Sequence, residues 1–193
     1  MTFDLDHWRN PRKAIATKYE RDDLGYATHG ACMAMQVIRE LDLRPSEAAQ
    51  RSILDYGCGT GRVSRVLAGY FGEVVGFDPV VECIQTGVEE NRGMPFRNLI
   101  LTSMFSAVEG SKFDFICSVN VMEHLGGLDQ RIMLSRIQRM AKPGASLVLW
   151  YSMRRNRNSL IDFFGPAFTV SDDIHMEKSP DSDIMVRAFG FQG

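Results

Sequence analysis

The segment Ile53-Leu54-Asp55-Tyr56-Gly57-Cys58-Gly59-Thr60-Gly61 limits what this chain can fold into more than any other. A short apolar run ends in an acid, and three alternating glycines follow. Residues 61–70 then place Val63, Val66 and Leu67 at helical spacing. Glycine lets a backbone turn sharply and approach a neighbour with no Cβ in the way. A buried strand that turns through glycines into a helix opens a strand–helix unit. Repeated units of that kind build a parallel sheet with helices on both faces.

The following residues keep that rhythm. Glu73 to Phe77 reads as a second buried strand, and a helix is expected from Asp78-Pro79 to about Asn91, with Pro79 in its first turn. Asn98 to Thr102 and Phe113 to Val119 read as third and fourth strands. An amphipathic helix over 128–141 should end at Lys142-Pro143-Gly144, and Ala145 to Tyr151 supplies a fifth strand. Unbroken apolar strands suit a sheet covered on both faces. The expected fold is therefore α/β, doubly wound and mostly parallel, with an antiparallel strand at the C-terminus. Residues 173–178 and 184–191 are expected to pair across Ser179-Pro180-Asp181-Ser182. Residues 26–41 place Met33, Val37, Ile38 and Leu41 on one side of a helix. Residues 1–50 read as an N-terminal arm and helix that cap the sheet, and 51–193 as the core, within one domain.

Composition adds exclusions. The chain has 193 residues, 45% hydrophobic and 24% charged, a normal make-up for one globular domain. A formal net charge of −2 argues against a general nucleic-acid binder, which carries a basic excess. Cys32, Cys58, Cys83 and Cys117 form no CxxC pair and suit reduced thiols. The N-terminus lacks the apolar stretch of a signal peptide, and no run approaches the ~18 apolar residues of a membrane span. A cytoplasmic, soluble protein is expected.

The chemistry should sit at the glycine loop, because ligands of open α/β sheets bind at the carboxyl ends of the strands. Asp55 ends the first strand. Asp78 lies just past the second, where a carboxylate can accept hydrogen bonds from both hydroxyls of a ribose. Two acids and a glycine loop suit a ligand carrying an ammonium, a carboxylate and a nucleoside, whereas Asp55 would repel a pyrophosphate. A dinucleotide fingerprint would read GxGxxG, but these glycines fall as GxGxG.

ILDYGCGTG, then VVGFDP, FDFICSVNVMEHL and MAKPGASLVLW, together resemble the class I methyltransferases that use S-adenosylmethionine (SAM). The resemblance runs from about residue 51 to 151. It implies that Gly57, Cys58, Gly59 and Gly61 pass under the methionine part of SAM and that Asp55 orients its ammonium. It further implies that Asp78 holds the ribose, with Pro79 and Val80 near the adenine, and that Asn120 contacts the methionine part. Members of the family often carry an acid after the third strand that bonds the adenine amino group. Thr102-Ser103-Met104 stands there instead, so Ser103 or a backbone carbonyl is expected to substitute. Asp114 opens the fourth strand, away from the ligand, and reads as structural.

His124 is a candidate general base; its other reading is the opening of the next helix. Some relatives use Glu-x-x-Glu-His at this place to hold a divalent metal. Asn120 replaces the first Glu here, so no metal is expected. A small-molecule acceptor, acidic in character, would meet walls from Trp8, Tyr19, Tyr26 and His29, and from the loop bearing Arg154, Arg155 and Arg157. That loop follows a parallel strand and so emerges on the ligand edge. The competing reading is a SAM-binding regulatory protein that catalyses nothing.

Overall fold

Each of the five apolar runs becomes a parallel strand: β1 is Ser52–Tyr56, β2 Glu73–Phe77, β3 Leu99–Thr102, β4 Phe113–Val119 and β5 Ala141–Ser152. The computed structural model describes residues 9, 23–152, 169–170, 174–175 and 183–191. Within it the strands lie in the order β3-β2-β1-β4-β5, and every neighbouring pair is parallel. Three short strands follow, β6 (Thr169–Val170), β7 (Ile174–His175) and β8 (Asp183–Phe189). β8 runs antiparallel beside β5, and β6 and β7 pair with β8.

The helices are α1 (Asp23–Leu41), α2 (Pro45–Ala48), α3 (Arg62–Leu67), α4 (Val81–Glu90) and α5 (Gly127–Met140). The chain lays β1, β2 and β3 outward, then returns to place β4 against the free side of β1. Connections therefore diverge at the carboxyl ends of β1 and β4. That divergence opens a crevice, as open α/β sheets do where strand order reverses.

Alternation along the strands divides the core into two layers. Ile53, Val74, Cys117 and Val148 pack with Met33, Val37 and Leu41 of α1 and Val63 and Leu67 of α3. Leu54, Val75, Ile116 and Leu149 pack with Met133, Leu134, Ile137 and Met140 of α5. Asp55 falls on the α3 side by the same alternation, and Tyr56 on the α5 side.

Two boundaries differ from expectation. Helix α4 begins at Val81, two residues after Pro79, because the Asp78 Oδ1 accepts the Val80 N–H at 2.9 Å and holds Val80 extended. Extended chain begins at Ala141 rather than Ala145. Phe113 pairs with Ala141 but Phe115 with Ser146, so Lys142-Pro143-Gly144 forms an irregularity inside β5. Gly144, at φ +80°, donates its N–H to the Phe191 carbonyl at 2.9 Å, which secures the bulged segment. No helix among the described residues is long and apolar enough to cross a membrane.

Candidate functional site

The loop from Gly57 to Gly61 is built by backbone bonds to its neighbours. The N–H groups of Gly57 and Cys58 both reach the Phe77 carbonyl at the end of β2, at 2.7 and 3.0 Å. Gly57 has φ +80°, and a Cβ there would lie 2.4 Å from Val121 Cγ2. Conformation and contact thus both demand glycine. Gly61, at φ +77°, precedes α3, and a Cβ on it would strike Leu101. The underside is equally close: a Cβ on Gly76 would meet Leu101, Ser64 and Cys58, and one on Gly87 the Thr60 carbonyl.

Both acids are tied to this loop. Asp78 Oδ2 accepts the Gly59 N–H at 2.9 Å, while Oδ1 takes Val80, so one carboxylate fixes the loop to the turn after β2. Each oxygen keeps a further lone pair for a ligand. Asp55 is 1% exposed, and its Oδ2 accepts the Ser64 hydroxyl at 2.6 Å. Burial pushes its pKa up to about 6, against the Ser64 bond and with added repulsion from Asp78. Burial also raises the Asp78 carboxyl, opposed by its two backbone N–H bonds. The Cys58 thiol is raised well above its ordinary value by burial and then by both carboxylates, so it stays protonated.

A cavity of about 490 Å³ opens over the loop. Among the residues singled out from the sequence, His29, Asp55, Gly57, Cys58, Gly59, Asp78, Pro79, Val80, Asn120 and His124 line it. Gly61, Ser103 and Tyr26 do not; Gly61 is buried behind the loop, Ser103 is half-buried beyond β3, and the Tyr26 hydroxyl is bonded to the Thr60 hydroxyl. Asn120 has φ +55°, a left-handed conformation that asparagine tolerates, and its N–H reaches the Trp150 carbonyl at 2.7 Å. Exposed His124 and half-buried Glu123 sit on a single 3-10 turn, Met122–His124. Gln130 grips that turn, donating its side-chain amide to the carbonyls of Met122 and Leu125 at 2.8 and 3.2 Å. Among the described residues no group of three or more His, Cys, Asp or Glu could hold a metal ion. Tyr19, Arg154, Arg155 and Arg157, with Trp8, lie outside the described residues.

Sequence reasoning overlooked several wall residues. Arg62 follows the glycine loop directly and lines the cavity beside His29 and Met33 of α1. Arg136 of α5 lines another part of it and lies over the Phe105 ring at 4.1 Å. Only the proximity of Arg62 to the glycine loop could have flagged it.

The family model for a methyltransferase domain matches residues 26–175, more than half of the chain. The chain belongs to this methyltransferase family. Its members use SAM, and the match takes in α1 as well as the glycine loop. The chain is 29% identical over 115 residues to a ubiquinone biosynthesis O-methyltransferase from Hahella chejuensis, covering 58% of this chain and 47% of that protein. It is 29% identical over 150 residues to the O-methyltransferase cnsE from Penicillium expansum, covering 75% of this chain and 49% of that one. The chain therefore spans about half the length of these curated relatives. The N-methyltransferase NodS from Bradyrhizobium japonicum WM9, solved with S-adenosyl-L-homocysteine (SAH), superposes with a TM-score of 0.71 at 17% identity, covering 96% of each chain. That likeness is one of fold.

Proposed function

We propose that this chain binds SAM in the cavity over the glycine loop and transfers its methyl group to a small-molecule acceptor. The observation that carries this reading is the convergence of the Gly57–Gly61 loop, Asp55, Asp78 and the Asn120–His124 segment on one cavity at the carboxyl edge of β1 and β4. The residues present fit the cofactor. Gly57, Cys58 and Gly59 bring their backbone to the cavity wall, and Asp78 keeps acceptor capacity for ribose hydroxyls. Asp55 supplies negative charge beneath the loop for an ammonium, and Asn120 offers an amide at the same edge.

Held by the Gly57–Gly61 loop, Asp55 and Asp78, SAM would supply an activated methyl on a positively charged sulfur, open to displacement by an acceptor lone pair with the sulfur as leaving group. The chain's own work is to place the acceptor in line and to exclude water. Such positioning is worth roughly 7–11 kcal/mol of the barrier. Tyr56, Val119, Val121 and Leu125 give the cavity apolar wall. The two curated relatives named above are O-methyltransferases, which favours a hydroxyl acceptor. A hydroxyl must lose a proton, and exposed His124, which lines the cavity, is the base we assign to it. Methyl transfer from labelled SAM to a panel of phenols, carboxylates and amines tests the reading. Transfer to a phenol that His124→Ala slows without weakening SAH binding supports it. Absence of both transfer and SAH binding would overturn it.

A further inference from the structure

The sheet gives the proposed cofactor a direction. With its ammonium at Asp55 and Asn120 and its ribose at Asp78, it runs from the edge of β1 and β4 across the end of β2. Its base then extends past Pro79 and Val80 toward β3. Strands of a parallel sheet are usually joined by a helix laid across its face. Between Thr102 and Phe113, however, the regular structure is a single 3-10 turn, Phe105–Ala107. Thr102-Ser103-Met104, where an acid is missing, is taken up locally. The Thr102 hydroxyl accepts the Met104 N–H at 3.1 Å, and the Thr102 carbonyl accepts the Asp78 N–H at 3.2 Å. Met104 is exposed, and Ser103 does not line the cavity.

A cation reaches this corner from α5. The Arg136 guanidinium carbon lies 4.1 Å from the centre of the Phe105 ring, and that ring meets Phe77 edge-on with centres 5.6 Å apart. The Tyr56 ring centre stands 5.1 Å from that of Phe77. Burial raises the Tyr56 hydroxyl above its ordinary pKa, and hydrogen bonding to Arg136 opposes the rise, so the guanidinium is held from a second direction. Arg136 lines the cavity together with Ile132 and Met133 of the same helix. A guanidinium has five N–H donors and no acceptor. Contact with Phe105 engages its face and leaves the donors at its rim. Donors cannot read an amino group: in adenine the exocyclic amino donates, while the ring nitrogens N1, N3 and N7 accept.

We propose that Arg136, laid on Phe105 and braced by Tyr56, holds the base of the cofactor by donating to a purine ring nitrogen, and that the exocyclic amino group goes largely unread. The inference rests on the cofactor reading above. Five nucleosides test it by calorimetry in the parent protein and in Arg136→Met: SAH, its analogue with unsubstituted purine in place of adenine, and its 1-deaza, 3-deaza and 7-deaza analogues. Each deaza analogue replaces one ring nitrogen by C–H.

The parent should bind the amino-free analogue within about threefold of SAH, and one deaza analogue at least about tenfold more weakly, as loss of a charge-assisted hydrogen bond requires. Arg136→Met should bind SAH at least about tenfold more weakly and no longer distinguish it from that deaza analogue, because a pairwise coupling vanishes when either partner is removed. A merely structural arginine would lower every affinity and leave the deaza penalty in place, which overturns the inference. A loss beyond about threefold for the amino-free analogue also overturns it and assigns the amino group to an acceptor such as Asp129, which lines the cavity from the same helix. Indifference of the parent to all three deaza analogues is equally fatal. Should Arg136→Met fail to fold, Arg136→Lys, which keeps the charge but not the planar fork, enters the same comparison. A parent that binds none of the nucleosides refutes the cofactor reading and this inference with it; a parent that binds SAH but fails any of these comparisons refutes this assignment alone.

Discussion

Asp78 has two tasks that a single substitution can separate. Its carboxylate ties the Gly59 and Val80 amides, and it borders the cavity. Asp78→Ala leaves two N–H groups without that acceptor, at about 1–3 kcal/mol each when buried. Urea titration of the unliganded protein should show that loss, and SAH affinity should fall at least about tenfold, at about 1.5–3 kcal/mol for each hydrogen bond to a charged group. If stability drops while affinity measured on folded protein stays constant, Asp78 is a loop brace and holds no ribose. Asp55 makes a pH-dependent prediction. Its folded pKa of about 6 lies above its ordinary value of 3.8, so the folded state holds an extra proton between those values. The stability that this proton confers is full below 3.8 and lost as pH rises through about 6. A ligand ammonium beside it favours the ionised carboxylate, so SAH binding at pH 6 should release protons and weaken as pH falls below 6. Calorimetry in buffers of different ionisation enthalpy reads that release directly; no buffer dependence would mean Asp55 keeps one protonation state throughout.

At the scale of elements, the end of the sheet away from the cavity is held by a polar brace. Asp114 at the start of β4 accepts the Ser52 N–H at 3.0 Å and the Ser52 hydroxyl at 2.9 Å. It also pairs with Lys142 at 2.8 Å and Arg51 at 3.1 Å. One side chain thus links β1, β4 and the bulged start of β5. The Lys142 and Ser52 bonds outweigh burial and hold the Asp114 carboxyl down at about 2. A depressed carboxyl stabilises the fold above its unfolded value of 3.8 and loses that contribution as pH falls toward 2. Asp114→Asn should therefore cost about 1–3 kcal/mol at neutral pH and flatten the acid limb between those values, as followed by circular dichroism. Since the brace lies at the far edge, SAH affinity should hardly change. Loss of binding in this variant would mean that the sheet transmits strain to the loop.

For the whole molecule, the two core layers leave the cavity at the one edge where connections diverge, so occupancy should stabilise the entire domain. A ligand at a hundred times its Kd adds about 2.7 kcal/mol, which for a domain of this size raises the thermal midpoint by about 5–10 °C. SAH should produce that rise and NAD none, because Asp55 beneath the loop opposes a pyrophosphate. A rise with NAD alone would return the protein to the dinucleotide binders that GxGxG spacing argued against.

The strand rhythm, the parallel sheet and the glycine loop were legible in the sequence because each is written locally. An apolar run, a turn glycine or an acid at a strand end means much the same wherever the chain later packs. For the same reason Asp55 and Asp78 could be marked from the sequence as neighbours of one crevice, whereas Asn120 was marked only through the resemblance to the methyltransferases. Tertiary structure decided what depends on distant partners and on lost water. Arg62 meets Tyr26 and His29 only when α1 crosses α3, more than thirty residues away in sequence. Lys142-Pro143-Gly144 reads locally as a helix stop, yet Asp114 and Phe191 hold it as a bulge in β5. The raised pKa of Asp55 likewise follows from burial beside Asp78, since a carboxyl's charge is set by its solvation and neighbours.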